Sequence, residues 1–253
     1  MSHHEETAQD ENPTRKPWFV ICGVLVALLV AVALVLMLLP SGDDRQASEA
    51  TATTAPSTAP SAAPAGDESI CGLDATGGAT LTKAPKDLTW KPIRSLYLPS
   101  SKTHGPGVVD ETSQVRSCFA RTPEGALLAA TSMLGASADP DVLVASIKDR
   151  GVDSPGKTVA LGKAQQRASS GDSTVPPMEV AGFRVLSFTK DAATVEVVFA
   201  IDTGSEKVYQ TTGADMVWQD GDWKFVFADD GSGGPTGARV SDLSNYVKWS
   251  RNG

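Results

Sequence analysis

Residues 194–227, TVEVVFAIDTGSEKVYQTTGADMVWQDGDWKFVF, decide the fold. Val195, Val197, Phe199 and Ile201 alternate with Glu196, Val198 and Ala200, and Trp223, Phe225 and Phe227 alternate with Lys224 and Val226. A period of two is the mark of a half-buried strand, because successive side chains point to opposite faces of a sheet. Asp202-Thr203-Gly204-Ser205 and Asp220-Gly221-Asp222 interrupt the pattern, as Lys190-Asp191 does just upstream. Connectors this short join neighbours, so four strands from Met178 onward are expected to pair in sequence as an antiparallel meander. Beyond them, the glycine-rich stretch GSGGPTG (231–237) reads as a flexible connector to a closing segment with Leu243, Tyr246, Val247 and Trp249.

Upstream of the strands the period lengthens. Thr122-Pro123-Glu124 supplies an N-cap, a first-turn proline and an acid before GALLAATSMLG. Asp139-Pro140-Asp141 repeats that grammar before VLVASIKDR, with Gly151 as the expected C-terminal cap. A third helix is expected between Gly156 and Ser170, where Val159, Leu161, Ala164 and Ala168 form an uneven apolar face. Between Cys71 and Cys118 the chain reads as extended and loop-like, rich in turn residues around His104-Gly105-Pro106-Gly107, and is expected to wrap the domain.

The N-terminal 68 residues have a different composition. Trp18 to Leu39 form 22 residues without a charge. As a helix they span about 33 Å, which matches a hydrocarbon core of about 30 Å. Trp18 and Phe19 stand where an aromatic anchor belongs, Arg15 and Lys16 flank the start, and Pro40, Ser41 and Gly42 end the run. A cleaved signal would have a shorter apolar core and a basic tail, and Cys22 lies at the wrong end of the run for a lipoprotein signal. Gly23, Ala27 and Ala31 share one helix face and would admit a second transmembrane helix, although alanine is also common in membrane helices for no such reason. Residues 47–66, ASEATATTAPSTAPSAAPAG, carry too little apolar surface to offset the entropy of ordering. They read as a semi-extended stalk.

The expected layout is a cytoplasmic tail (1–17), a transmembrane helix (18–39), a stalk (40–68) and one extracytoplasmic α+β domain (69–253) in the cell membrane. Asp and Glu outnumber Lys and Arg by 9 to 3 in residues 1–68 but only by 21 to 19 in residues 69–253, so the domain is nearly neutral. Such a domain lacks the basic footprint of a direct nucleic-acid binder. Cys71 and Cys118 are the only cysteines outside the apolar run. On the oxidising side of a membrane they are read as a disulfide, the alternative being two separate buried thiols.

Three helices followed by a four-stranded meander, behind one membrane helix and a stalk, resemble the assembly subunits of type IV secretion and Gram-positive conjugation systems. The resemblance implies a nuclear transport factor 2-like domain, a curved sheet wrapped around helices. The stretch Ser117-Cys118-Phe119-Ala120-Arg121-Thr122-Pro123-Glu124-Gly125-Ala126-Leu127-Leu128-Ala129-Ala130 also resembles an uncharacterised bacterial domain associated with integrative conjugative elements, as do Cys71-Gly72-Leu73 and Tyr246-Val247-Lys248-Trp249-Ser250. The first resemblance implies a non-enzymatic scaffold whose partners are other membrane or envelope subunits, with a homo-oligomer as a further arrangement; the second, over about residues 69–253, brings no assigned activity.

Few residues suggest chemistry. His104, with Ser100, Ser101 and Lys102 nearby, invites a hydrolase, but no nucleophile-elbow motif surrounds it and it reads as a solvated loop residue. The carboxylate pairs Asp139/Asp141, Asp220/Asp222 and Asp229/Asp230 have turn or capping explanations, and the glycine-rich stretch lacks the Lys-Ser/Thr pair of a phosphate loop. His3 and His4 read as a solvated terminal pair. Neither a catalytic residue, a cofactor nor a metal is expected. Phe183, Phe188, Phe199, Trp218, Trp223 and Phe225 read first as core, and alternatively as the lining of a pocket for a lipid or small ligand, as in lipid-transporter accessory proteins.

Overall fold

The computed structural model describes residues 68–171, 175–235 and 237–252. The expected tail, His3 and His4, the membrane helix with Gly23, Ala27 and Ala31, and the stalk up to residue 67 lie outside the described residues. Among the described residues no helix is long and apolar enough to cross a membrane.

Before the helices come two small ribbons: β1 (Leu88–Ile93) with β2 (Leu96–Ser101), and β3 (Val108–Val109) with β4 (Arg116–Ser117). The helices are α1 (Pro123–Gly135), α2 (Pro140–Arg150) and α3 (Pro155–Ser169), with a 3-10 turn at Ala136–Ala138. Each helix starts with one device, a polar side chain accepting from backbone amides ahead of a first-turn proline. Thr122 Oγ1 accepts from Gly125 N at 3.0 Å, Asp139 Oδ1 from Asp141 N and Val142 N at 3.0 and 3.3 Å, and Ser154 Oγ from Lys157 N at 3.1 Å. Gly151 does follow α2, but in an extended conformation (φ −81, ψ 139) and not a left-handed one. The chain therefore leaves the helix directly toward the sheet.

The main sheet contains β5 (Met178–Phe188), β6 (Ala192–Asp202), β7 (Lys207–Gln219) and β8 (Asp222–Val226), all paired antiparallel in sequence order. It has six strands, because β9 (Arg239–Val240) adds to β7 and β10 (Val247–Lys248) adds to β5. Here the glycine-rich stretch departs from the expected flexible connector. β8 pairs with β7 only from Asp215 to Gln219, and the chain after it returns along the same edge. Gly213 N donates to Pro235 O at 3.3 Å and Thr211 N to Ala238 O at 2.8 Å, so the stretch satisfies amides that an open edge would leave bare.

The core lies between the helices and one face of the sheet. α1 is buried at 11 of its 13 residues, which is why it is built of alanine, leucine and glycine and shows no polar face. Ala193, Val195, Val197 and Phe199 of β6 meet it from one side, with Phe183, Trp223 and Phe225. The segment 71–118 does more than wrap this core. Leu96 and Leu98 of β2 are fully buried within it, and each such side chain contributes about 1.5–3 kcal/mol. Trp249 closes the far edge, 5.6 Å from Trp90 and 5.4 Å from Phe183 between ring centroids. On the other sheet face, Arg184 pairs with Glu196 at 2.7 Å beneath the Tyr246 ring.

Candidate functional site

Two features of the domain stand apart from ordinary packing: a cross-linked clasp where the described chain begins, and an apolar cleft on the helix-covered face.

The clasp is built on Cys71 and Cys118, which form a disulfide with Cα atoms 6.0 Å apart. Ile70 N donates to Gly221 O at 2.8 Å, and Ser69 Oγ accepts from Leu73 N at 2.8 Å while lying 3.4 Å from Cys118 Sγ. Behind Cys118 stands Asp222. Its two carboxylate oxygens accept from Cys118 N at 2.6 Å and Phe119 N at 2.9 Å, and Arg150 pairs with it at 2.6 Å. Trp223 Nε1 donates to Ala120 O at 2.9 Å on the same segment. Arg150 and Asp222 are 7% and 2% exposed, so this is a buried ion pair whose members depend on each other. The pair joins the end of α2, the start of β8 and the Cys118–Phe119 segment. Asp222 was expected to belong to the turn. Asp220 and Gly221, at φ 54 and 75, complete a two-residue hairpin turn without it, which releases Asp222 as the first residue of β8.

The cleft has a volume of about 290 Å³. Met133 and Leu134 of α1, Leu143 of α2, and Phe199, Ile201 and Phe225 of the sheet supply its apolar wall. Its polar groups are already engaged in part: Ser137 Oγ donates to Leu134 O at 2.7 Å and Gln210 Nε2 to Thr211 O at 3.3 Å. The lining has no ionisable side chain. It is suited to apolar contact and offers nothing for proton transfer or metal ligation. Of the expected aromatic group, Phe199 and Phe225 line it, whereas Phe183 and Trp223 are core, and Phe188 and Trp218 pack around Trp223.

The residues suggesting a hydrolase take structural roles. Ser100 Oγ accepts from Arg116 Nη2 at 2.6 Å, and Ser101 Oγ accepts from Thr103 N and His104 N, each at 3.2 Å. His104 is half-buried, contrary to the solvated loop histidine expected, and its Nδ1 lies 3.2 Å from Thr122 Oγ1. Thr122 Oγ1 already accepts from Gly125 N, so its own proton can point to an unprotonated Nδ1. Burial holds the His104 pKa below the ordinary value, with Glu124 pulling it the other way. Asp139 caps α2, and Asp230 Oδ1 accepts from Ser232 N and Oγ at 2.9 and 2.6 Å within a turn. Among the described residues no group of three or more His, Cys, Asp or Glu side chains is placed to hold a metal ion.

No curated protein and no solved structure matches the chain. A family model matches residues 49–248, which takes in the whole clasp and cleft together with part of the expected stalk. The chain belongs to that family, described as a domain of unknown function (DUF8175).

Proposed function

We propose that the chain is a non-enzymatic, membrane-anchored assembly subunit of an envelope complex, its domain carried outside the cytoplasm on the Ala/Thr/Ser/Pro stalk. The observation that carries this reading is the clasp. The domain's first described residues are held by a disulfide, the Ile70–Gly221 backbone bond and the buried Asp222–Arg150 pair, all at one corner. A tethered domain that holds other proteins in place needs its point of attachment locked to its core. The order of three helices and then antiparallel strands agrees with a nuclear transport factor 2-like domain of a conjugative or type IV-like secretion apparatus. That assignment rests on analogy of fold. Chemical crosslinking in native membranes, followed by identification of the partners, tests it: envelope-complex subunits are expected.

A second reading is favoured by the cleft, whose size and apolar wall suit a lipid tail or another small apolar ligand. Under this reading the full chain copurifies with a stoichiometric ligand that raises its thermal stability. Leu134→Glu, which places a charge in the cleft, abolishes that gain. If deletion of the gene leaves DNA transfer and complex assembly intact while such a ligand is found, the binding reading replaces the scaffold.

A further inference from the structure

A second cleft, of about 270 Å³, opens between the β1–β2 ribbon and the ends of β5, β6 and β7. Strand register composes one of its walls. Glu179 of β5 stands opposite Ala200 of β6, and Asp202 of β6 opposite Lys207 of β7, so the four side chains share one sheet face. Lys207 Nζ donates to Glu179 Oε1 at 2.8 Å over β6. Asp202 Oδ1 accepts from Gly204 N at 2.8 Å, and its Oδ2 has no partner among the described residues. The facing wall is aromatic. Trp90 of β1 and Tyr97 of β2 line it, Tyr97 being 37% exposed, and the Arg251 guanidinium stacks on Tyr97, 3.9 Å from the ring centroid. That contact holds a planar set of donors at the cleft, with no carboxylate paired to it among the described residues.

Two properties limit what can bind here. The lining carries two carboxylates and two cations, so it has no excess charge for a phosphate or a metal ion to complement. A lipid tail laid against these four groups would strip water from charges without replacing it. The ligand that suits the cleft is uncharged, carries hydroxyls that both donate and accept, and has an apolar face for aromatic rings.

We infer that this cleft binds a neutral saccharide, one pyranose ring at a time. The hydroxyls donate to Asp202 and Glu179 and accept from Arg251 and Lys207, while the C–H face of the ring packs on the Trp90–Tyr97 wall. The size agrees, because a hexose occupies about 190 Å³, roughly six waters at about 30 Å³ each, and a second ring would have to lie outside. Such a site goes beyond the scaffold role and stands whether or not that role holds.

The test uses the full chain in a detergent without a sugar headgroup. A single ring in an open cleft is expected to bind with a Kd of order 1 mM, so diacetylchitobiose, maltose and cellobiose are each titrated to about 20 mM against isotope-labelled protein. In the amide spectra at least one of them should give saturable shifts confined to the cleft, at Ser95, Tyr97, Glu179 and Asp202. Arg251→Ala, which removes an exposed side chain near the end of the chain, should raise that Kd about tenfold, as for loss of one hydrogen bond to a charged group. Tyr97→Ala, which removes part of the aromatic wall, should weaken binding as well. Cosedimentation with purified cell-wall sacculi, competed by the same disaccharide, assigns the saccharide to the envelope, whereas saturable shifts without cosedimentation assign it to a free sugar. Absence of saturable shifts with all three sugars and of cosedimentation overturns the site, as do shifts that persist unchanged in both variants.

Discussion

Asp222 carries more of the structure than any other polar residue described. Its carboxylate accepts from three backbone amides, those of Cys118, Phe119 and Trp223, and pairs with one guanidinium in a buried setting, so replacing it strips Arg150 of its buried counter-charge. Asp222→Ala is expected to destabilise the domain by about 3–5 kcal/mol, measured by urea unfolding. Combining it with Arg150→Met should recover part of that loss, because the stranded charge goes too. Residue type alone does not distinguish Asp222 from Asp220, two positions away. The signal was there in the turn: a two-residue hairpin needs only Asp220-Gly221, and counting it so moves Asp222 into the strand. His104 makes a prediction in pH. Its folded pKa lies below the ordinary 6.5, so the unfolded chain takes up the proton first. Stability is therefore free of this penalty above about pH 6.5, and falls as the pH drops toward the folded value, where the loss is complete. His104→Gln should flatten the dependence of the urea midpoint between about pH 7 and 5.

At the scale of elements, the helix starts were legible because capping is local chemistry. Thr122-Pro123 and Asp139-Pro140 announced α1 and α2, and Ser154-Pro155, which repeats the pattern, sets the start of α3 one residue before the expected Gly156. The four long strands were legible from their period. The β1–β2 hairpin was not, since Pro92 and Pro99 read as loop residues and only tertiary contact with α1 and β5 turns that segment into a ribbon. The glycine-rich edge of β7 was hidden for the same reason. Close packing around α1 can be tested at Gly125, where an added Cβ would stand 2.0 Å from the Ala120 carbonyl oxygen. Gly125→Ala should lower the melting temperature despite alanine's better helix propensity. Gly162, in α3, has no atom within 4 Å of such a Cβ, and Gly162→Ala should stabilise by about 0.5–1 kcal/mol. Thermal unfolding of the pair separates packing from propensity.

For the molecule as a whole, the clasp ties the beginning of the domain to the turn before β8, about 150 residues later, across a disulfide that closes a 47-residue separation. Limiting the unfolded chain by a loop of that length stabilises by about 4 kcal/mol, so Cys71→Ser with Cys118→Ser should lower the unfolding free energy by about that amount. Equal urea midpoints for parent and double variant would show that the bond contributes nothing. The candidate site was only half legible. Two cysteines named the disulfide, but the buried ion pair behind it and the cleft depend on which faces meet in three dimensions, which periodicity alone does not specify. On the proposed reading, the clasp holds the domain firmly at its tether and its functional contacts are made to other proteins. The most direct measurement places a photo-crosslinking amino acid at the exposed Tyr97, Val108, Val159 and Leu186 in turn, in living cells, and identifies the adducts. The account predicts adducts with envelope-complex subunits from at least one face, retained in Ser100→Ala, Ser101→Ala and His104→Ala variants. Absence of protein adducts from every position, with a bound small apolar molecule recovered instead, would contradict it.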